Sequence, residues 1–179
     1  LWAERLLEFP PRHPYAKYNG THWRLVELAD LGAGVGPERL RPAVEQVLEW
    51  ITQPQSTHDV PPGPDGTRPR RHASQEGNIL YACTVLGFGS DVRVSALVDV
   101  LLATQWPDGG WNCDRHQTAR RSSFHETVTP AIGLAVFART FDHEGAQAGA
   151  MRAAELLLDH RLYRRGGTGA PIHPSWTQL

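Results

Sequence analysis

Residues 92–111 read Val92-Arg93-Val94-Ser95-Ala96-Leu97-Val98-Asp99-Val100-Leu101-Leu102-Ala103-Thr104-Gln105-Trp106-Pro107-Asp108-Gly109-Gly110-Trp111. Val94, Leu97, Val98, Leu101 and Leu102 fall at i, i+3, i+4, i+7 and i+8, the stripe of an amphipathic helix packing one face on a core. Moved back by 52 residues, Val92-Arg93 through Ala103-Thr104-Gln105 lies over Leu40-Arg41 through Ile51-Thr52-Gln53. There Leu40, Val44, Val47, Leu48 and Ile51 form the same stripe, and both copies carry an early Arg and a closing Thr-Gln. Self-similarity at this period is the mark of a stacked helical architecture.

Outward from these helices the pattern extends into pairs. A shorter helical segment ending in Leu-Gly precedes each copy: Trp23 to Leu31 before Gly32, and Asn78 to Leu86 before Gly87. Glycine just past the last apolar residue stops a helix, because it takes the left-handed conformation without a side-chain penalty. Phe124 to Arg139 and Ala148 to Leu162 form a third pair, the second rich in strong helix formers. No segment alternates with period two. The expected fold class is all-α, with tandem helix hairpins forming part or all of an α/α toroid in one domain over residues 1–179. The Pro- and Gly-rich connection from Pro54 to Arg71 is long for a helix-helix loop and reads as exposed, mobile or functional.

Composition sets the outer limits. A length of 179 residues fits one domain, and 40% hydrophobic with 21% charged residues is ordinary for a globular chain. No run approaches the roughly 18 apolar residues that a membrane span needs. Eighteen basic and nineteen acidic residues give a net charge of -1, which supplies no electrostatic footprint for nucleic acid and favours a small, largely apolar ligand as partner. Cys83 and Cys113 could make at most one disulfide, so the expected compartment is a reduced, cytoplasmic one. Both ends read as trimmed: Leu1 to Leu7 looks like the tail of a helical turn, and Ile172 to Leu179 stops without a closing helix.

Gln105, a short spacer and Gly109-Gly110-Trp111 resemble the QW repeat of squalene and oxidosqualene cyclases and the related repeats of protein prenyltransferase β subunits. These make up the terpenoid cyclase/protein prenyltransferase α/α-toroid superfamily. In such a repeat the glutamine amide can satisfy backbone groups at helix ends, while the indole packs over the turn that the glycines permit. His72-Ala73-Ser74-Gln75-Glu76-Gly77-Asn78, Trp111-Asn112-Cys113-Asp114 and Ser122-Ser123-Phe124-His125-Glu126 are also similar to bacterial squalene-cyclase-like, prenyltransferase-repeat proteins, a resemblance running from about Tyr15 to His173. It implies a central cavity lined by the shorter helices, a hydrophobic substrate with isoprenoids as the candidate class, and a further aromatic and His-containing helix after Leu179. The chain departs from the superfamily in lacking the Asp-x-Asp-Asp acid of class II cyclisation and the Asp-Asp-x-x-Asp of class I enzymes. Protein prenyltransferases bind zinc through Asp-x-Cys and a distant His; here the order is Cys113-Asp114 with His125 following.

The candidate site residues cluster at the expected starts of the shorter helices. Cys113, Asp114 and His125 are the ligand types of an open tetrahedral zinc site, and equally those of a hydrogen-bonded loop. Asp114, His125 and Glu126 are candidate acid/base groups; Ser122 or Ser123 with Glu126 can instead be a helix cap. His22, His72, Glu76, Trp111 and Phe124 are candidate substrate contacts at a cavity rim, with helix capping and core packing as the alternatives, and Thr21 as an N-cap. The expected function is that of a squalene-cyclase- or prenyltransferase-like protein acting on a hydrophobic substrate. A non-catalytic toroid binding a lipid or protein partner, or a glycan-processing toroid, stands as the alternative.

Overall fold

The computed structural model of the chain describes residues 13–32, 34, 36–53, 68–116 and 118–177. Among them are six α-helices and no strand: α1 (Thr21–Asp30), α2 (Pro37–Thr52), α3 (Ala73–Val85), α4 (Val92–Thr104), α5 (Phe124–Phe141) and α6 (Glu144–Asp159), followed by a 3-10 turn at Pro174–Thr177. The all-α expectation holds. The expected turn at Leu1 to Leu7 and most of the Pro54 to Arg71 connection lie outside the described residues.

The helices form three hairpins, α1/α2, α3/α4 and α5/α6, that stack side by side. Odd-numbered helices pack on one another in one row, most extensively α3 on α5, and even-numbered helices touch more sparingly in a second row. Each apolar stripe lies between the rows: Val94, Leu97, Val98 and Leu101 of α4 are buried, as are Leu40, Val44, Val47, Leu48 and Ile51 of α2. At about 25 cal/mol per Å² of apolar surface, such stripes supply most of the drive for stacking. The recurring Arg joins the even row: Arg93 donates to Asp91, the α4 N-cap, and to Glu45 of α2 at 2.7 and 2.9 Å. Its counterpart Arg41 lies over the Phe88 ring.

Gly32 and Gly87 stop α1 and α3 as expected, both at positive φ (58° and 88°). Three helix starts differ from the sequence expectation. Gly20, not Thr21, occupies the N-cap of α1, and the Thr21 hydroxyl donates to Gln46 of α2 instead. Helix α3 begins at Ala73, five residues before Asn78, so Ser74, Gln75, Glu76 and Gly77 form its first turns. Gly77 is inside the helix because α5 passes there: a Cβ on Gly77 would lie 2.5 Å from the Thr129 carbonyl carbon, and one on Gly133 2.6 Å from the Gly77 oxygen. Helix α6 likewise runs from Glu144 to Asp159, earlier than expected at both ends.

Candidate functional site

The turn after α4 joins three elements. The Gln105 amide donates to the Gly109 carbonyl at 2.7 Å and to the Gly149 carbonyl of α6 at 2.9 Å, while its oxygen accepts from Arg152. Trp111 is fully buried and donates to the Leu101 carbonyl at 3.0 Å. Trp106, also buried, donates to the Pro69 carbonyl at 2.8 Å. Its ring carries the Arg70 guanidinium at 4.6 Å. Arg70 in turn donates to the carbonyls of His116 and Ala119, and the Arg71 amide donates to Asn112. Arg70 and Arg71 are thereby laid against Asn112, His116 and Ala119.

This crossing places His72 beside Cys113. Glu126 arrives from the first turn of α5, and its Oε2 accepts from the Ser74 amide of α3 at 2.9 Å. Glu126 stands three residues after the α5 N-cap Ser123, the capping-box position, yet it caps the neighbouring helix. Its Oε1 lies 3.9 Å from His72 Nδ1. One ligand-type atom from each of His72, Cys113 and Glu126 lies within 4.8 Å of the other two. Glu126 is buried, whereas His72 and Cys113 are half-buried. Burial pushes the Glu126 carboxyl up, but the His72 imidazole beside it, the hydrogen bond from the Ser74 amide and the nearby Cys113 outweigh it and hold the group below its ordinary value. The Cys113 thiol is pushed up to about 12, first by burial and then by the Glu126 charge. It is therefore a protonated donor at neutral pH, without the thiolate character of a nucleophile.

The other predicted residues fall elsewhere. Asp114 is exposed, its carboxylate accepting from the His116 amide at 2.9 Å within a local turn. His125 is exposed and stands edge-on to Trp176 at 5.4 Å. Cys113, Asp114 and His125 thus do not share one centre; His72 and Glu126 are the groups gathered round the thiol. Glu76 is buried in an ion pair with Arg71, and burial raises its carboxyl against the pull of that cation. His22 is buried among Tyr15, Trp23 and Trp50, ring centroids 4.9 to 6.2 Å away, and burial lowers its imidazole to about 4. Trp111 belongs to the core.

Phe124 and His125 lead to a second feature, an open cavity of about 1050 Å³ at the N-terminal end of α5. Phe124, Leu156, Ile172 and Trp176 give it apolar walls, and Arg121 and Arg165 stand among its polar lining. Phe124 packs edge-on against His160 at 5.3 Å and Trp176 at 6.1 Å. Sequence reasoning missed His160, Arg165 and Trp176, which reach the cavity from the far end of α6 and the segment after it. The solitary Trp in a polar tail was the available signal. Set against protein-family models, curated proteins and solved structures, the chain matches none.

Proposed function

We propose that the protein is squalene-cyclase- and prenyltransferase-like in use: it holds a small, largely apolar ligand of isoprenoid type, carrying an anionic end, in the cavity at the start of α5, and acts on it there. The cavity itself carries the reading. Its volume of about 1050 Å³ suits a ligand of isoprenoid-chain size, and its aromatic and aliphatic walls suit an unsaturated hydrocarbon. Arg121, Arg165 and the N-terminus of the 18-residue helix α5 supply positive potential for a diphosphate or carboxylate. Of the candidate acid/base residues, His125 stands in the cavity wall, where an imidazole can give or take a proton. Asp114 and Glu126 are not among the residues lining it.

Calorimetric titration tests the reading with farnesyl diphosphate, farnesol and inorganic diphosphate. The expected order is farnesyl diphosphate tightest, with Trp176→Ala weakening it by about tenfold or more and Arg121→Ala reducing its advantage over farnesol. Equal binding by the Trp176→Ala protein, or no binding of any of the three, overturns the assignment. Product analysis after incubation, with His125→Ala beside the unaltered protein, reads out turnover.

A further inference from the structure

Three chain segments, one of them from the preceding repeat, deliver a sulfur, an imidazole nitrogen and a carboxylate oxygen to one point between the starts of α3 and α5. We infer that His72, Cys113 and Glu126 form a mononuclear site for a zinc-class divalent cation, separate from the cavity ligand proposed above. Thiolate, imidazole and carboxylate are the donor set that zinc takes, and three protein ligands leave the fourth tetrahedral position to water or another donor.

The geometry is close to what binding requires. Bonds of about 2.0 to 2.3 Å at tetrahedral angles put ligand atoms about 3.3 to 3.6 Å apart. The His72 to Glu126 separation is 3.9 Å, and all three donors lie within 4.8 Å of one another. Rotation of the two half-buried side chains, His72 and Cys113, closes the remainder without moving a helix. Glu126 is already oriented: the Ser74 amide holds Oε2, which leaves Oε1 turned toward His72. A hydrogen bond of this kind, fixing the far atom of a ligand, is what metal sites use to set ligand direction.

Charge favours the same conclusion. Two helix N-termini meet here, and each disfavours a bare cation. A thiolate and a carboxylate supply two negative charges, so a divalent cation with neutral His72 completes a neutral assembly in a half-buried place. On binding, the cation displaces the thiol proton to solvent as the metal-sulfur bond forms. Without a cation, ionising Cys113 would set two anions side by side. Arg71, the adjacent cation, is held by Glu76 and so is turned to another carboxylate.

The test uses the full chain, stripped with chelator and titrated with Zn²⁺ and Co²⁺ alone. One equivalent should bind, with a sulfur-to-cobalt charge-transfer band and the visible spectrum of tetrahedral cobalt. Cys113→Ala should abolish the band, and Cys113→Ala or His72→Ala should weaken binding by more than about 100-fold, beyond the usual loss for a residue behind the ligands. Glu126→Gln keeps an acceptor for the Ser74 amide, so the fold survives, and should weaken binding by at least about tenfold. Asp114→Asn and His125→Ala should bind as the unaltered protein does. A cobalt complex without the sulfur band, equal losses in Asp114→Asn or His125→Ala, or no binding by a chain with unchanged circular dichroism each overturns the inference.

Discussion

Replacing Gln105 tests the turn that joins α4 to α6. Its amide donates to two buried carbonyls, Gly109 at 2.7 Å and Gly149 at 2.9 Å, and its oxygen receives Arg152 on the exposed side. A neutral hydrogen bond contributes about 1 kcal/mol net, and an exposed contact to Arg152 adds little. Gln105→Ala should therefore cost about 2 to 3 kcal/mol, with the upper end reached if the Gly109 carbonyl stays dry. Gln105→Glu separates the contributions. It keeps the shape and strengthens the Arg152 contact, but it turns both donations into acceptor-acceptor encounters. Urea unfolding followed by circular dichroism measures both variants, read at unchanged m so that only stability differs. The expected order is unaltered protein, then Gln105→Ala, with Gln105→Glu no better than Gln105→Ala. If Gln105→Glu proved as stable as the unaltered chain, the Arg152 contact would be the working part, and the amide's role as a staple would be refuted.

Three further outcomes follow from the packing and the buried charges. Gly133→Ala should cost about 1 to 3 kcal/mol in the same urea assay, because its methyl group meets the Gly77 carbonyl at 2.6 Å; a loss below about 0.5 kcal/mol would mean that α3 and α5 separate freely. His22 is held near 4 by burial, below its ordinary 6.5, so the unfolded chain binds its proton first as pH falls. Stability should drop by about 2 kcal/mol between pH 7 and pH 5 from this group, and His22→Leu should flatten that slope; a parallel slope in the variant counts against it. Glu126 is held below its ordinary value when folded, so its stabilisation is present above about 4.5 and is lost as pH falls through the folded value. Acid unfolding of Glu126→Gln should lack that component, which a titration of the unfolding midpoint against pH would detect.

The even-numbered helices were legible because their stripes are one-sided: Val94 to Leu101 and Leu40 to Ile51 state which face is buried. The odd-numbered helices are enclosed on more sides, and their starts were harder to read. Gly77 looks like a boundary in the sequence and is instead a helix-interior contact with α5. The candidate site shows a similar limit. Asp114 and His125 are the chain neighbours of Cys113 and Glu126, but Glu126 itself and His72, from the preceding repeat, are the groups that meet the thiol in space. The repeat held the missing signal: the 52-residue shift that aligns α2 with α4 also aligns Ser74 with Glu126, and those two residues meet across the α3/α5 contact. The cavity was less accessible to such reasoning, since Trp176 and Arg165 lie outside the repeating register. Trp111 and Gln105 were read from their motif, and the hydrogen bonds of Gln105 are those a helix-joining amide should make.

The glycine contact between α3 and α5 has a geometric consequence. Neighbours in the odd row meet more extensively than neighbours in the even row, and at Gly77 and Gly133 the α3 and α5 backbones touch with no side chain between them. Gly77 and Gly133 therefore set the distance between the second and third hairpins: larger residues there would part α3 from α5, even where each hairpin kept its own fold.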